Sequence, residues 1–426
     1  MFKEIFFQKS TAELVEGLRQ RDPICYSVNG HRVKSSKVFL KHAERVGRKI
    51  GITRVADISF LSPIQYPVYQ ACRPQLFAHS KLGQNTGGQG KGPNHAQARI
   101  SAIMETIESF CAEPRQARLI RNTRDFLAQA HHVVDLLDGP LDAKDQCPGS
   151  DLPLMWTPVY AGHLQKEVLF PAEAVFFPFV SAAYKTDYFF AQGSNGLASG
   201  SSYLEAALHG FYEVIERHYI HEFEEGRTTV QALEIEDFDL SGLGRWTPAI
   251  QSEFELQIFS IQRPGWQNWP VILCLLVGDE THFSGWGCSG SLDISIQRAI
   301  SEALQSLATF VSGAREDIAS RMSDDSVHWS QYLPDEATLK KAALKKQVID
   351  KKFSYLQSEY QFLMKWLKAH GFEKNYLANL SRVDVDVCVI KAFIPKMKCP
   401  RRMRKAAQWP ADIIFSEQFS MKEVHG

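Results

Sequence analysis

The sequence lacks several features that would assign it to a common class of protein. Its eight cysteines include no C-x-x-C pair, which argues against zinc ribbons, thioredoxin-type chemistry and a dense disulfide framework. Forty-eight basic residues balance forty-eight acidic ones, so no overall field attracts nucleic acid or an anionic membrane. The first residues, MFKEIFFQKS, contain no continuous apolar run of the kind that secretion signals need. These absences predict a soluble, cytoplasmic protein with reduced cysteines.

Long apolar runs are also missing. The most apolar stretch, residues 168–183, is interrupted by Pro171, Glu173 and Pro178 and is too short to span a bilayer. The composition is otherwise ordinary for a globular protein, with 44% hydrophobic and 23% charged residues. A length of 426 residues accommodates two to three domain-sized units or one large enzyme domain.

Three segments rich in glycine and serine are each followed by a helical pattern. We predict loops at residues 83–92, 193–202 and 285–290, followed by helices that begin near Ala96, Tyr203 and Ser295. Other predicted elements are helices at 11–19 and 36–50 and strands at 52–60, near 188, at 271–276 and at 383–393. We divide the chain into an N-terminal extension (1–30), a main domain (31–400) with a charge-rich, mostly helical insertion (315–367), and a tail (401–426).

Glutamates recur on the three predicted helices. At about 100° per residue, those on one helix share one face, and apolar residues surround each of them. A solvated face explains a single pair of glutamates, but this repeated apolar context predicts buried carboxylates, which need cations or strong donors. The set comprises Glu105 and Glu108 on the first helix, Glu205, Glu213 and Glu216 on the second, and Glu302 with Arg298 and Gln305 on the third.

Clustered carboxylate oxygens suit a hard cation such as Mg²⁺, which also takes phosphate oxygens as ligands. The three helices contain neither the Glu-x-x-His pairs of di-iron bundles nor the H-E-x-x-H motif of zinc proteases. The segment GGQGKGPNH places Lys91 near a helix N-terminus, which favours anions, although it does not fit a Walker A loop and a flexible turn is the alternative. We therefore predict a magnesium–nucleotide site.

These residues, taken in order, resemble the motifs of the YcaO-domain family over residues 31–400. The S-x-x-x-E-x-x-E motif is matched by Ser101, Glu105 and Glu108. A second motif is matched within SNGLASGSSYLEAALHGFYEVIER and a third by Arg298, Glu302 and Gln305. The chain departs from the family at Ser109, where arginine is usual, and near Phe39, where a nucleotide-contacting Ser or Thr is usual.

The resemblance implies an α+β, YcaO-like fold in which mixed or antiparallel sheets bring the helices to a non-P-loop ATP/Mg²⁺ site. It implies catalytic roles for Glu216, Arg217 and Arg298. The implied nucleotide contacts are Arg32, Lys91, Ser101, Ser201, Glu205, Arg217 and Gln305. The implied metal ligands are Glu105, Glu108, Glu205, Glu213, Glu216 and Glu302.

The resemblance also implies ATP-dependent activation of a peptide backbone amide in peptide or protein maturation. A neighbouring side chain then gives an azoline, and an external sulfur donor gives a thioamide. We keep two alternatives: a ligase or kinase that acts on a small molecule, and a non-catalytic scaffold for a partner enzyme. The expected partners are a peptide or protein substrate, a delivery or sulfur-donor protein and a second copy of the chain, without membrane or nucleic acid.

The C-terminus favours one of these outcomes. Azoline-forming members have a proline-rich tail, whereas the last thirty residues here contain only Pro400 and Pro410, so no rigid polyproline arm is available. We therefore favour activation for an external nucleophile or an accessory role in maturation. The basic run at 396–405 is a candidate contact for a partner, with a solvated surface as the alternative. For His209, His218 and His221 we expect ordinary packing or ion pairing.

Overall fold

The computed structural model describes residues 7–26, 30–74, 86–114, 117–140, 146–179, 189–235, 238, 242–279, 281–313, 333 and 348–400. No helix in this part of the chain is both long and apolar enough to cross a membrane. The helices are α1 (Thr11–Leu18), α2 (Ser36–Lys49), α3 (His95–Ala112), α4 (Arg124–Leu127), α5 (Ala172–Val175), α6 (Tyr203–Glu224), α7 (Thr247–Glu253), α8 (Leu292–Ser312) and α9 (Leu356–Ala369).

Thirteen described strands form three sheets in which every strand pair is antiparallel. The first sheet has the order β1 (Arg54–Asp57), β2 (Val68–Arg73), β3 (Thr86–Lys91). The second has β11 (His282–Cys288), β10 (Val271–Val277), β9 (Glu255–Gln262), β8 (Thr229–Ala232). The third has β4 (Ile120–Asn122), β5 (Leu154–Ala161), β12 (Tyr376–Asn379), β13 (Cys388–Phe393), β7 (Leu197–Gly200), with β6 (Lys166–Pro171) also paired to β5. The predicted α+β class with antiparallel sheets is confirmed.

The three glutamate-bearing helices follow the three edge strands β3, β7 and β11. Helix α3 covers the first sheet, α6 the third and α8 the second. Each helix also contacts the edge strand of another unit: α3 contacts β7, α6 contacts β11, and α8 contacts β3. The three strand–helix units therefore form a closed ring of contacts, and the helix faces that carry the glutamates meet inside it.

The prediction of three glycine-rich loops was wrong, because each segment contains a strand: β3, β7 or β11. The glycines on these strands lie directly under the backbone of the next helix. A Cβ atom on Gly90 would lie 2.0 Å from the Ala102 nitrogen, and one on Gly287 would lie 2.1 Å from the Ser295 carbonyl oxygen. The glycines therefore permit close packing of strand and helix, a role that composition cannot distinguish from loop flexibility.

Other elements differ at their ends from the predictions. The predicted strand at 52–60 is the strand β1 followed by a 3₁₀ turn (Ser59–Leu61), and the late strand begins at Cys388 rather than 383. Within the predicted insertion, residues 333 and 348–367 are described, and they include most of α9. The rest of 314–347, residue 188 and the tail at 401–426 lie outside the described residues. Leu14 and Leu18 of α1 belong to the same core cluster as α6. The proposed domain boundaries remain a prediction.

We expect Gly90→Ala to destabilise the protein by about 3 kcal/mol or more, since the new Cβ would overlap the backbone of α3. Gly193→Ala is the matched control, because a Cβ atom there would have no heavy atom within 4 Å. Denaturant unfolding of both variants measures the difference. Equal stability of the two would show that β3 does not pack on α3 as described.

Candidate active site

One cavity of about 1380 Å³ lies where the three strand–helix units meet. Every site residue predicted from the sequence lines it. From the first unit and the segment before α2 these are Arg32, Lys91, Ser101, Glu105 and Glu108; from the second, Ser201, Glu205, Glu213, Glu216 and Arg217; from the third, Arg298, Glu302 and Gln305. Residues more than 270 positions apart in the sequence therefore share one cavity. Their individual roles remain predictions.

The glutamates of α3 are held by donors on the edge strands. The Gln89 backbone N–H of β3 donates to Glu105 Oε2 at 3.0 Å. The Ser199 hydroxyl of β7 donates to Glu108 Oε1 at 2.6 Å. Glu105 and Glu108 are one turn apart on α3, so both lie on the same helix face. That face contacts β3 through Glu105 and β7 through Glu108.

Helix α6 contributes the largest group of ionisable side chains. Glu205, in its first turn, accepts the backbone N–H groups of Val33 at 2.6 Å and Ser201 at 2.7 Å, and so joins two distant segments. Glu213 lies 3.8 Å from Arg217, one turn further on. Among the described residues, Glu216 makes neither a hydrogen bond nor an ion pair, although it is only 8% exposed.

Helix α8 closes the cavity with a mixed set of charges. Lys91, at the end of β3, lies 3.0 Å from Glu302. Arg298 donates from Nη1 to the Cys288 carbonyl at 2.7 Å, which fixes the guanidinium against the end of β11. Cations and carboxylates therefore line the same cavity, a combination that suits a ligand carrying both phosphates and metal ions.

The predicted burial of the carboxylates holds only in part: Glu205 and Glu216 are buried, whereas the other four are half-buried or, for Glu105, exposed. Neighbouring carboxylates nevertheless oppose one another's ionisation. Burial raises the pKa of the Glu108 carboxyl to about 8, and Glu105 and Glu213 raise it further against the opposing hydrogen bond from Ser199. Burial and the neighbouring Glu302 raise the pKa of Glu216 to about 7, although Arg217 opposes this. Burial opposes the ionisation of Glu302 too, but Lys91 and Arg217 outweigh it and lower the pKa of that carboxyl. The cavity without ligands thus has a deficit of positive charge around Glu108 and Glu216.

The residues present fit a magnesium–nucleotide group. Neither the buried Ser201 hydroxyl nor the Glu216 carboxylate has a hydrogen-bond partner among the described residues. In the described ranges, no three acidic, histidine or cysteine side chains are grouped closely enough to hold one metal ion. Mg²⁺ needs only one or two carboxylates when phosphate oxygens and waters complete its coordination, so this spread set suits Mg²⁺ with a nucleotide better than a metal bound by protein alone.

Several cavity residues were missed by the sequence reasoning. Gln89 and Ser199 donate hydrogen bonds to the α3 carboxylates. Both lie in glycine-rich segments for which the composition predicts loops. Once such a segment is recognised as a strand, alternate residues point to one face. Other lining residues without a recognisable motif are Lys34, Lys37, Gln97, Trp286, Ser306 and Thr309.

Known proteins resemble the chain over most of its length. A protein from Methanothermobacter thermautotrophicus, itself uncharacterised, is 30% identical over 373 residues, which cover 82% of this chain and 90% of that protein. The structure of YcaO from Methanopyrus kandleri bound with AMPPCP and Mg²⁺ matches with a TM-score of 0.68 at 20% identity, covering 91% of this chain and 97% of that one.

A heterocyclase in complex with substrate and cofactor matches with a TM-score of 0.74 at 17% identity. The match covers 91% of this chain but only 56% of the heterocyclase. At these identities the structures establish the shared fold. The sequence profile of the family described as YcaO cyclodehydratase, ATP- and Mg²⁺-binding, matches residues 89–398, which include all three glutamate-bearing helices. The chain belongs to the YcaO family of ATP- and Mg²⁺-binding proteins.

Proposed function

We propose that the protein is an ATP-dependent enzyme that activates a backbone amide of a peptide or protein. The observation that carries this proposal is the convergence of the thirteen predicted residues, carboxylates and cations together, on one cavity, where Glu216 has no hydrogen bond or ion pair among the described residues. The solved heterocyclase contains a substrate and a cofactor, and the solved YcaO protein contains an ATP analogue and Mg²⁺.

Each residue has a role that its surroundings support. Glu108 and Glu216 carry the raised pKa values that a nearby cation would lower, so we assign them first as metal ligands, with Glu105, Glu205, Glu213 and Glu302 as further candidates. Arg217 and Arg298 face the same cavity and would neutralise charge that develops on a transferring phosphoryl group. Lys91 and Arg32 lie on the wall where we place the nucleotide, with Ser101, Ser201 and Gln305.

An amide needs activation because its carbonyl is a poor electrophile and its oxygen a poor leaving group. When bound, ATP and Mg²⁺ would supply the phosphoryl group that converts this oxygen into a leaving group. The protein's part is to position the peptide and to place charged side chains around the reacting groups. None of these tasks requires a covalent bond to the protein.

We infer an external sulfur nucleophile, which makes a thioamide, rather than a neighbouring side chain, which makes an azoline. This is the outcome expected from the sequence, and the mass of the product decides between the two. A sulfur-donor or delivery protein and a homodimer are parts of the same proposal.

Mass spectrometry of a cognate peptide, incubated with the protein, ATP and Mg²⁺, tests this inference. We expect a gain of about 16 Da per site that requires added sulfide, because sulfur replaces the amide oxygen. A loss of about 18 Da without sulfide would mark ring formation and contradict the thioamide assignment. An unchanged peptide together with ATP turnover on a small molecule would favour a ligase or kinase, and no turnover at all would favour a scaffold.

A further inference from the structure

A buried carboxylate outside the predicted site is linked through His31 to Arg32, which lines the part of the cavity where we place the nucleotide. Glu359 lies in the first turn of α9 and is 1% exposed. Its Oε1 accepts a hydrogen bond from the Tyr212 hydroxyl of α6 at 2.5 Å, and its Oε2 lies 2.6 Å from Nδ1 of His31. A carboxylate with both oxygens engaged holds its partners in a defined geometry, since buried polar groups that lose a partner are destabilising.

His31 directly precedes Arg32, which lines the main cavity. The backbone directly after His31 is fixed at two successive residues. Arg32 exchanges backbone hydrogen bonds with Tyr26, and the Val33 N–H donates to Glu205. The His31 side chain adds a further anchor through its contact with Glu359.

The turn after β11 restricts Glu359 further. A Cβ atom on Gly290 would lie 2.3 Å from Glu359 Oε1 and 2.9 Å from the Tyr212 hydroxyl oxygen. The backbone of the turn therefore covers the carboxylate and leaves it little space to move. A small cavity beside it is lined by His31, Arg32, His209, Tyr212, Ser289 and Arg298, among others. Glu359 therefore belongs to a group of polar side chains that surrounds this small cavity and includes Arg32 and Arg298.

We propose that Glu359 is a positioning residue that acts through His31 to hold Arg32 towards the nucleotide. This inference rests on the proposed function, because it assigns Arg32 to nucleotide binding. It predicts a specific coupling: loss of Glu359 weakens nucleotide binding only as long as Arg32 is present to be misplaced.

A double-mutant cycle tests this coupling. The dissociation constant of the ATP analogue AMPPCP with Mg²⁺ is measured by calorimetry for the full-length wild type, Glu359→Ala, Arg32→Ala and the double variant. We expect each single variant to weaken binding about tenfold and the double variant to be no weaker than Arg32→Ala alone. A loss of about 100-fold in the double variant would be additive and would overturn the proposal.

Two further variants separate positioning from general destabilisation. Glu359→Gln should bind nearly as well as the wild type, because glutamine can accept from Tyr212 and donate to His31 Nδ1. Glu173→Ala is the matched control: Glu173 is a buried carboxylate that accepts the Phe190 backbone N–H and is absent from the cavity lining, so its loss should lower stability without changing affinity.

If Glu359→Ala does not fold, His31→Ala replaces it in the cycle, with the same expected result. Weakened binding in Glu173→Ala as well would indicate a general loss of stability and contradict a positioning role. Failure of the wild type to bind AMPPCP with Mg²⁺ would overturn the proposed function and this inference together. Wild-type binding with additive losses would overturn this inference alone.

Discussion

Glu216→Gln is expected to reduce ATP turnover by about 100-fold or more while making the protein without ligands more stable. Glu216 is buried, has no hydrogen bond or ion pair among the described residues, and has its pKa raised to about 7 by burial and by Glu302. An isosteric neutral amide removes that repulsion, so the free energy of unfolding should rise on the order of 1 kcal/mol near pH 8. It also removes a charge that a bound cation needs, which accounts for the loss of turnover.

Glu222→Gln is the matched control, on the same helix and with the same chemical change. Glu222 is 5% exposed but lies 3.0 Å from Arg227 and 3.4 Å from Arg263. These ion pairs stabilise the folded state, so the variant should lose about 1–3 kcal/mol and keep its turnover. ADP release and denaturant unfolding of the two variants provide the measurements. Full turnover in Glu216→Gln would show that this carboxylate does not serve the reaction.

The stability of the metal-free wild type, measured relative to a variant with both Glu108→Gln and Glu216→Gln, should fall as the pH rises from about 5 to about 8. The carboxyl groups of Glu108 and Glu216 have pKa values of about 8 and about 7 in the folded state, against an ordinary value of 4.5. The unfolded chain therefore releases these protons near pH 4.5, while the folded chain keeps them to higher pH. Because these two groups hold more protons in the folded state within this window, their contribution to stability decreases with pH across it.

Mg²⁺ with AMPPCP should reverse this trend. Metal binding needs ionised carboxylates, so it releases protons and strengthens as the pH rises. We expect the thermal midpoint to increase on ligand addition by several degrees at about pH 8 and by much less at about pH 6. Scanning calorimetry at both pH values, with and without the ligand, gives the comparison.

A variant with both Glu108→Gln and Glu216→Gln provides the control for pH. It lacks the two raised carboxyl groups but keeps His209, His218, His221 and Lys391, whose pKa values are lowered by burial, so its difference from the wild type isolates the two carboxylates. A difference that rises or stays level with pH over this window would contradict the proposed carboxylate repulsion.

The sequence alone determined the helices that carry the site, because their signals are local. Helix α3 begins after Asn94, whose side chain accepts from the Gln97 N–H, and α6 begins after Ser202, whose hydroxyl accepts from the Glu205 N–H. These caps and the 3.6-residue period place the glutamates on shared faces without any tertiary contact. The order of the motifs was also sufficient to identify the family.

Only the tertiary structure decided which of these groups are paired and which are left without a partner. Lys91 and Glu302 are 211 positions apart, and His31 and Glu359 are 328 apart, so no local pattern relates them. The role of Gly90 was misread for the same reason: its constraint comes from the backbone of α3 lying against β3. Helix faces follow from the periodicity of neighbouring residues, whereas partners across the cavity follow from how three sheets pack. That packing leaves Glu216 buried with no donor among the residues that the structure describes.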